Sequence, residues 1–270
     1  MMRTYELPTR SVRLAVTEWG DPAGRPMVLQ HGLGSSTETW NEFAETLSDE
    51  YRVISWDLRG HGASEKPGSG YLTPHYAADL QNAIDALELD RPYVVGHSLG
   101  ALVAMTWEIT YPGEASGMVL EDPPTRTSPE IQEAVHGWTQ LNQMPVDQVA
   151  AYYQGEHPEW TPEQCLRAAV TITSVHPAVY REIGEESVRS AQDTEQTRLR
   201  AMATISVPLL VVHGEESEGS MTYPEDLALF VSLAPNARLA PVAGVGHSVH
   251  RDSPEMFAEE VRAFGRTLTN

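Results

Sequence analysis

Short apolar runs alternate with amphipathic stretches along most of this 270-residue chain. The runs Leu14–Trp19, Met27–His31, Arg52–Trp56, Tyr93–His97, Gly117–Leu120, Pro208–His213 and Arg238–Val242 are short and bounded by turn residues, which predicts strands. Helical periodicity between and after them predicts helices over Glu38–Leu47, Pro74–Leu87, Leu99–Tyr111, Pro224–Leu233 and Pro254–Leu268. Pro74, Pro224 and Pro254 suit the first helical turn, where a missing N–H costs nothing, and Thr73 and Ser253 stand where a side chain can cap. Strand and helix in alternation describe an α/β chain with a largely parallel sheet covered by helices.

One interval departs from that rhythm. From Pro123 to Thr204 strand signals cease, while helical segments recur at Ile131–Leu141, Val146–Tyr153 and Glu163–Ile172. This predicts a helical insertion over residues 123–204, lying across the strand ends of a core made from 1–122 and 205–270. Its aromatics, Trp138, Tyr152, Tyr153 and Trp160 among them, either pack between insertion helices or wall a pocket.

Composition narrows the function classes. Asp plus Glu number 38 against 18 Lys plus Arg, a formal charge of −20, which repels phosphate backbones and argues against nucleic-acid binding. No run approaches the length of a membrane span, and the N-terminus lacks the apolar stretch of a secretory signal. Cys165 is the single cysteine, so no intramolecular disulfide can form and a reducing cytoplasm is the expected compartment. It sits in a polar helical segment and reads as a packing or surface residue. His31, His61, His97 and His213 lack paired ligand spacing, so no metal is expected. Gly32-Leu33-Gly34 lacks the third glycine of a dinucleotide fingerprint, so no nucleotide cofactor is expected. The expected partner is a small molecule; a homodimer is compatible with the chain.

The densest chemical signal is Val94-Val95-Gly96-His97-Ser98-Leu99-Gly100. A predicted strand runs into Gly-X-Ser-X-Gly and out into a predicted helix, the context of a nucleophile elbow. A serine needs a base, and His247, at the end of a glycine-containing stretch before the last helix, is the first candidate; His250 is the second. The acid that would orient the base is open between Asp122, at a strand end, and the glutamates after the strand ending at His213, Glu216 foremost, then Glu215 and Glu218, with Glu121 beside Asp122 behind them. Oxyanion donors would be the N–H groups of Leu99 and of Leu33 in the turn Gly32-Leu33-Gly34. Trp138, Tyr152 and His97 are candidate substrate contacts, although His97, next to the serine, is expected to turn from the substrate side.

Taken together, His31-Gly32-Leu33-Gly34, Asp57 to Ser64, Gly96-His97-Ser98-Leu99-Gly100, His213-Gly214 and Gly246-His247 resemble the α/β-hydrolase fold superfamily over nearly the whole chain. The resemblance implies a mostly parallel eight-stranded sheet flanked by helices, a helical cap formed by 123–204, and a scaffold role for Arg59 and His61. It also bears on the acid. Relatives that place it three residues beyond the glycine of His-Gly have aspartate there, whereas this chain has Ser217. Others carry it about 24 residues beyond the serine, where Asp122 stands. The implied activity is that of a cofactor-independent serine hydrolase cleaving a small carboxylic ester, lactone or amide with Ser98, His247 and Asp122. The alternatives are carbon–carbon bond hydrolysis on the same fold and a non-catalytic ligand-binding receptor.

Overall fold

The computed structural model describes residues 2–126, 128–192, 200–234 and 236–268. Eight strands form one sheet: β1 (Met2–Pro8), β2 (Arg13–Trp19), β3 (Arg25–Gln30), β4 (Tyr51–Trp56), β5 (Tyr93–His97), β6 (Gly117–Glu121), β7 (Leu209–His213) and β8 (Ala237–Pro241). Their spatial order is β1-β2-β4-β3-β5-β6-β7-β8. β1 and β2 run antiparallel at one edge, and every pairing from β4 through β8 is parallel.

Adjacent residues of a strand point to opposite faces, so a strand buried on both sides is apolar throughout rather than alternating. Val28, Ile54 and Val94 face one layer of helices, while their neighbours Leu29, Val53 and Val95 face the other. The first layer includes α2 (Thr73–Ala86) and α3 (Leu99–Thr110); the second includes α1 (Asn41–Leu47) and the C-terminal α10 (Pro254–Gly265).

Seven strands fall where the apolar runs predicted them, with ends displaced by a residue or two. β1 was not expected. It pairs only with β2 and five of its seven residues are exposed, so it carries no burial pattern for a sequence reading to find. The predicted helix Glu38–Leu47 begins as a 3₁₀ turn over Thr37–Trp40 and becomes helical at Asn41, and the last helix stops at Gly265 rather than Leu268. α8 (Pro224–Leu233) matches its prediction, and a short α9 (Val249–Asp252) precedes the last helix. The predicted caps are corrected. Thr73 lies inside α2 and its hydroxyl donates to Glu186 Oε2 at 2.8 Å, while Ser253 makes no side-chain cap bond.

Between β6 and β7 stand helices, among them α4 (Pro129–Asn142), α5 (Val146–Glu156), α6 (Pro162–Ser174) and α7 (Pro177–Gln192). Ser128 caps α4, and Thr161 and Gln164 form a reciprocal capping box on α6. Residues 127 and 193–199 of the insertion lie outside the described residues. The block is tied to the core where Glu182 Oε2 accepts the N–H groups of Gly70 (3.1 Å) and Tyr71 (2.8 Å), and where His176 N–H donates to Gly60 O at 2.8 Å. Among the described residues no helix is long and apolar enough to cross a membrane.

Register is what assembles the site. Gln30 pairs with Gly96, His97 with Glu121, and Glu121 with Val212, so β3, β5, β6 and β7 end level at one edge of the sheet. The residues immediately beyond those ends are His31, Ser98, Asp122 and Gly214.

Candidate active site

β5 passes into α3 through one residue. Ser98 holds φ 53°, ψ −115°, a left-handed conformation that an L-residue adopts only at a cost of order 1–3 kcal/mol. Both flanking glycines are required by close approach. A Cβ at Gly100 would lie 2.1 Å from Gln30 O, and one at Gly96 would lie 2.4 Å from Gly100 O. Ser98 N–H donates to Glu121 O at 3.0 Å, which fixes the turn to the neighbouring strand.

Asp122 follows β6 in a second left-handed turn, φ 41°, a conformation aspartate tolerates better than most residues. Its N–H donates to Val212 O at 2.8 Å, and its side chain is wholly buried. The carboxylate accepts from Met221 N–H (2.7 Å), Gly214 N–H (3.4 Å) and the Ser220 hydroxyl, which leaves one direction for an imidazole. His247 takes it, with Nδ1 2.7 Å from Asp122 Oδ2. Because a carboxylate only accepts, Nδ1 carries the proton and the Nε2 of a neutral ring presents a lone pair.

His97 supports this loop from beneath. Its Nε2 lies 2.9 Å from His247 O, and the two rings are 4.7 Å apart between centroids. His97 is buried, and burial holds its pKa well below the usual histidine value, so the ring is neutral and donates from Nε2 to the carbonyl.

Ser98 and His247 line one cavity of about 800 Å³. Leu33 lies on its wall, α4, α5 and α6 contribute Trp138, Tyr153 and Ile172, and the α5–α6 loop contributes Trp160. Among the described residues neither the Leu33 nor the Leu99 N–H has a hydrogen-bond acceptor. The turn at Gly32 can press against the serine only because it lacks a side chain: a Cβ there would lie 2.9 Å from His97 Nδ1 and 3.3 Å from Ser98 Cβ. Two buried histidines hold this turn. His61 Nε2 accepts Gly34 N–H at 3.3 Å and His31 Nε2 accepts Leu58 N–H at 2.9 Å. Burial lowers both pKa values, that of His61 to about 3, so the rings stay neutral acceptors. Arg59 is bound by both carboxylate oxygens of Asp79 in the core, clear of the cavity.

The alpha/beta hydrolase family model matches residues 27–260, which includes every residue of this site. The chain belongs to that family.

One relative and two solved structures show what the chain is similar to. A 2-(acetamidomethylene)succinate hydrolase of Mesorhizobium japonicum is 28% identical over 262 residues, covering 94% of this chain and 91% of the relative. The crystal structure of an E-2-(acetamidomethylene)succinate hydrolase superposes with a TM-score of 0.82 at 24% identity, covering 99% of this chain and 100% of that one. The structure of an N-acyl homoserine lactone degrading enzyme gives a TM-score of 0.73 at 25% identity, covering 96% and 100%. As a member of this family the protein is a hydrolase.

Within this alpha/beta hydrolase, several expected contacts are redistributed. Tyr152 is 46% exposed and absent from the cavity; Tyr153, one position on, lines it, because the helix turns the neighbouring side chain inward. Glu216 lies exposed in a 3₁₀ turn (Glu216–Glu218) after β7, and His247 meets Asp122 instead. His97 lies beneath His247, although an edge of it reaches the cavity. His250, the second candidate base, is buried against Glu121. The anchors of Asp122, Ser220 and Met221, carry no sequence signal, since they sit in an irregular turn nearly 100 positions away.

Among the described residues one group has the makeup of a metal site: His97, Glu121 and His250 each bring a ligand atom within 4.8 Å of the others. Those side chains are engaged by hydrogen bonds, His250 Nδ1 to Glu121 at 2.8 Å and His97 Nε2 to His247 O at 2.9 Å, which a cation would have to displace.

Proposed function

We propose that Ser98 is the nucleophile, His247 the general base and Asp122 the orienting acid of a serine hydrolase that cleaves a small carboxylic ester, lactone or amide. The observation that carries the reading is the 2.7 Å contact of His247 Nδ1 with buried Asp122, in a site where serine and imidazole share one cavity. Ser98 Oγ attacks the scissile carbonyl while its proton passes to His247 Nε2. Asp122 stabilises the imidazolium that forms. The free N–H groups of Leu33 and Leu99 receive the developing oxyanion, and the proton on Nε2 is then delivered to the leaving oxygen or nitrogen. Water, activated by the same imidazole, releases the acyl group and restores Ser98.

The insertion helices support a substrate of limited size, since they close one side of the cavity with Trp138, Tyr153 and Trp160. The hydrolase relative named for an acetamidomethylene compound and the neighbour that degrades acyl homoserine lactones suggest an acyl carbon bonded to nitrogen or oxygen as the point of attack.

The test is a panel of short-chain esters, lactones and amides assayed with wild type and Ser98→Ala. Ser98→Ala is expected to lower kcat by about a thousandfold or more on every compound that wild type cleaves. A Ser98→Ala protein that keeps near-normal turnover would overturn the assignment.

A further inference from the structure

Behind the proposed triad, two residues that sequence reading offers as substitutes for its members meet each other. His250 Nδ1 lies 2.8 Å from Glu121 Oε1 and 3.0 Å from Oε2, and His250 N–H donates to Oε1 at 2.8 Å. The other ring nitrogen, Nε2, lies 2.7 Å from Thr39 Oγ1. Glu121 and His250 are buried; Thr39 is half-buried and lines the same cavity as Ser98. Carboxylate, imidazole and hydroxyl therefore stand in a row at Glu121, His250 and Thr39, and that row ends at the cavity that Ser98 and His247 also line.

The direction of donation along the second row follows from the first atom. An ionised carboxylate only accepts, so Nδ1 of His250 carries the proton. Burial pushes His250 down to about 3, so the ring is neutral and its Nε2 has no hydrogen. The Thr39 hydroxyl must then donate inward, to Nε2. Among the described residues its oxygen has no other partner. With its one proton held by Nε2, the Thr39 hydroxyl can only accept from a further partner.

We infer that Thr39 is a specificity-determining residue that accepts a hydrogen bond from an O–H or N–H group of the substrate, with Glu121 and His250 as positioning residues that hold it as an acceptor. The inference rests on Ser98 being the nucleophile in the same cavity. It narrows the substrate class to esters, lactones or amides that carry a hydroxyl or N–H besides the bond cleaved. A substrate offering an ether oxygen or carboxylate at that point would set acceptor against acceptor, with no donor for the Thr39 oxygen's lone pairs.

The experiment compares p-nitrophenyl butyrate with its 2-hydroxy and 3-hydroxy analogues and with p-nitrophenyl N-acetylglycinate. Wild type, Thr39→Val and Thr39→Ser are assayed at pH 8, where Glu121, pushed up to about 7 by burial, is ionised. In wild type at least one donor-bearing ester is expected to exceed butyrate in kcat/KM by about tenfold, the effect of one neutral hydrogen bond. Thr39→Val abolishes that ratio, whatever loss the esters share, and Thr39→Ser retains it. Equal ratios in wild type and Thr39→Val, or the absence of any preference, would overturn the inference. A second measurement does not depend on turnover. Nitrogen NMR of the histidine rings at pH 8 is expected to show His250 protonated at Nδ1 and bare at Nε2, and a proton on Nε2 would be fatal. Should wild type cleave none of the esters, the Ser98 assignment fails separately, and titration of Ser98→Ala with the free acids replaces the kinetic ratio. The hydroxy acids are then expected to shift the His250 Nε2 resonance, while an equal shift from butyrate would overturn the inference.

Discussion

At the scale of the residue, the site is a set of side chains each left with one free direction. Asp122 has three donors on its carboxylate besides His247, so its last acceptor position defines where the imidazole must stand. Replacing Asp122 by Asn leaves that shape and removes the fixed acceptor, allowing the ring to adopt the wrong tautomer. Asp122→Asn is expected to lower kcat by about a thousandfold or more, and Glu216→Gln, on an exposed turn, to leave it unchanged; steady-state kinetics on one ester decides between them. The sequence left those two acids open because both follow strands that end at the same edge of the sheet. The features that favour Asp122, its left-handed backbone and the donors Ser220 and Met221, are properties of turns that no hydrophobic pattern records. Ser98 and His247 were proposed from the sequence for the opposite reason: glycines on either side of the serine and ahead of the histidine mark where backbone must pass close to backbone.

At the scale of the element, the elbow depends on β3, β5 and α3 approaching without side chains between them. Gly100→Ala would drive a methyl group into Gln30 O, 2.1 Å from its ideal position, and neither backbone can yield without displacing the strand. The expected cost is more than about 3 kcal/mol in urea unfolding. Gly113 is the control: its φ of 85° strains any replacement, but a Cβ there meets nothing within 4 Å. Gly113→Ala is expected to cost only about 1 kcal/mol; equal losses at the two positions would deny the elbow its special packing. Strands β3 to β7 were readable because burial on two faces makes them apolar runs, and β2 because its buried positions alternate along the strand. β1 was not, since it is an exposed edge held mainly by its ladder to β2. Helix α7 escaped for a similar reason: Arg181, Glu182, Glu185 and Glu186 dilute its apolar stripe, and Glu182 and Glu186 turn out to be the groups that fasten it to the core.

At the scale of the whole molecule, the protein is an alpha/beta hydrolase whose interior stores several neutral imidazoles. His31, His61, His97 and His250 all have pKa values lowered by burial, two of them to about 3. In the unfolded chain each protonates near 6.5, so between about pH 6.5 and 3 the unfolded state binds more protons and stability falls with falling pH. Glu121 and Glu108, raised by burial, run the other way, because the folded state holds their protons over the range in which the unfolded chain has lost them. Four histidines outweigh two carboxyls, and the thermal midpoint is expected to drop as pH is lowered from 7 to 5; a midpoint that rises over that interval would show these rings charged in the fold. The same neutral rings underlie the site, where they staple the Gly32–Gly34 turn, carry the His247 carbonyl and set the polarity of Thr39.

The account stands or falls on Ser98 being an activated nucleophile. The most direct measurement is labelling of the folded protein with a fluorophosphonate, read by intact mass and peptide mapping. One adduct on Ser98, lost in His247→Ala with the fold retained, is the predicted result. An unlabelled wild-type protein, or an adduct on Thr39 or elsewhere with Ser98 untouched, would contradict it.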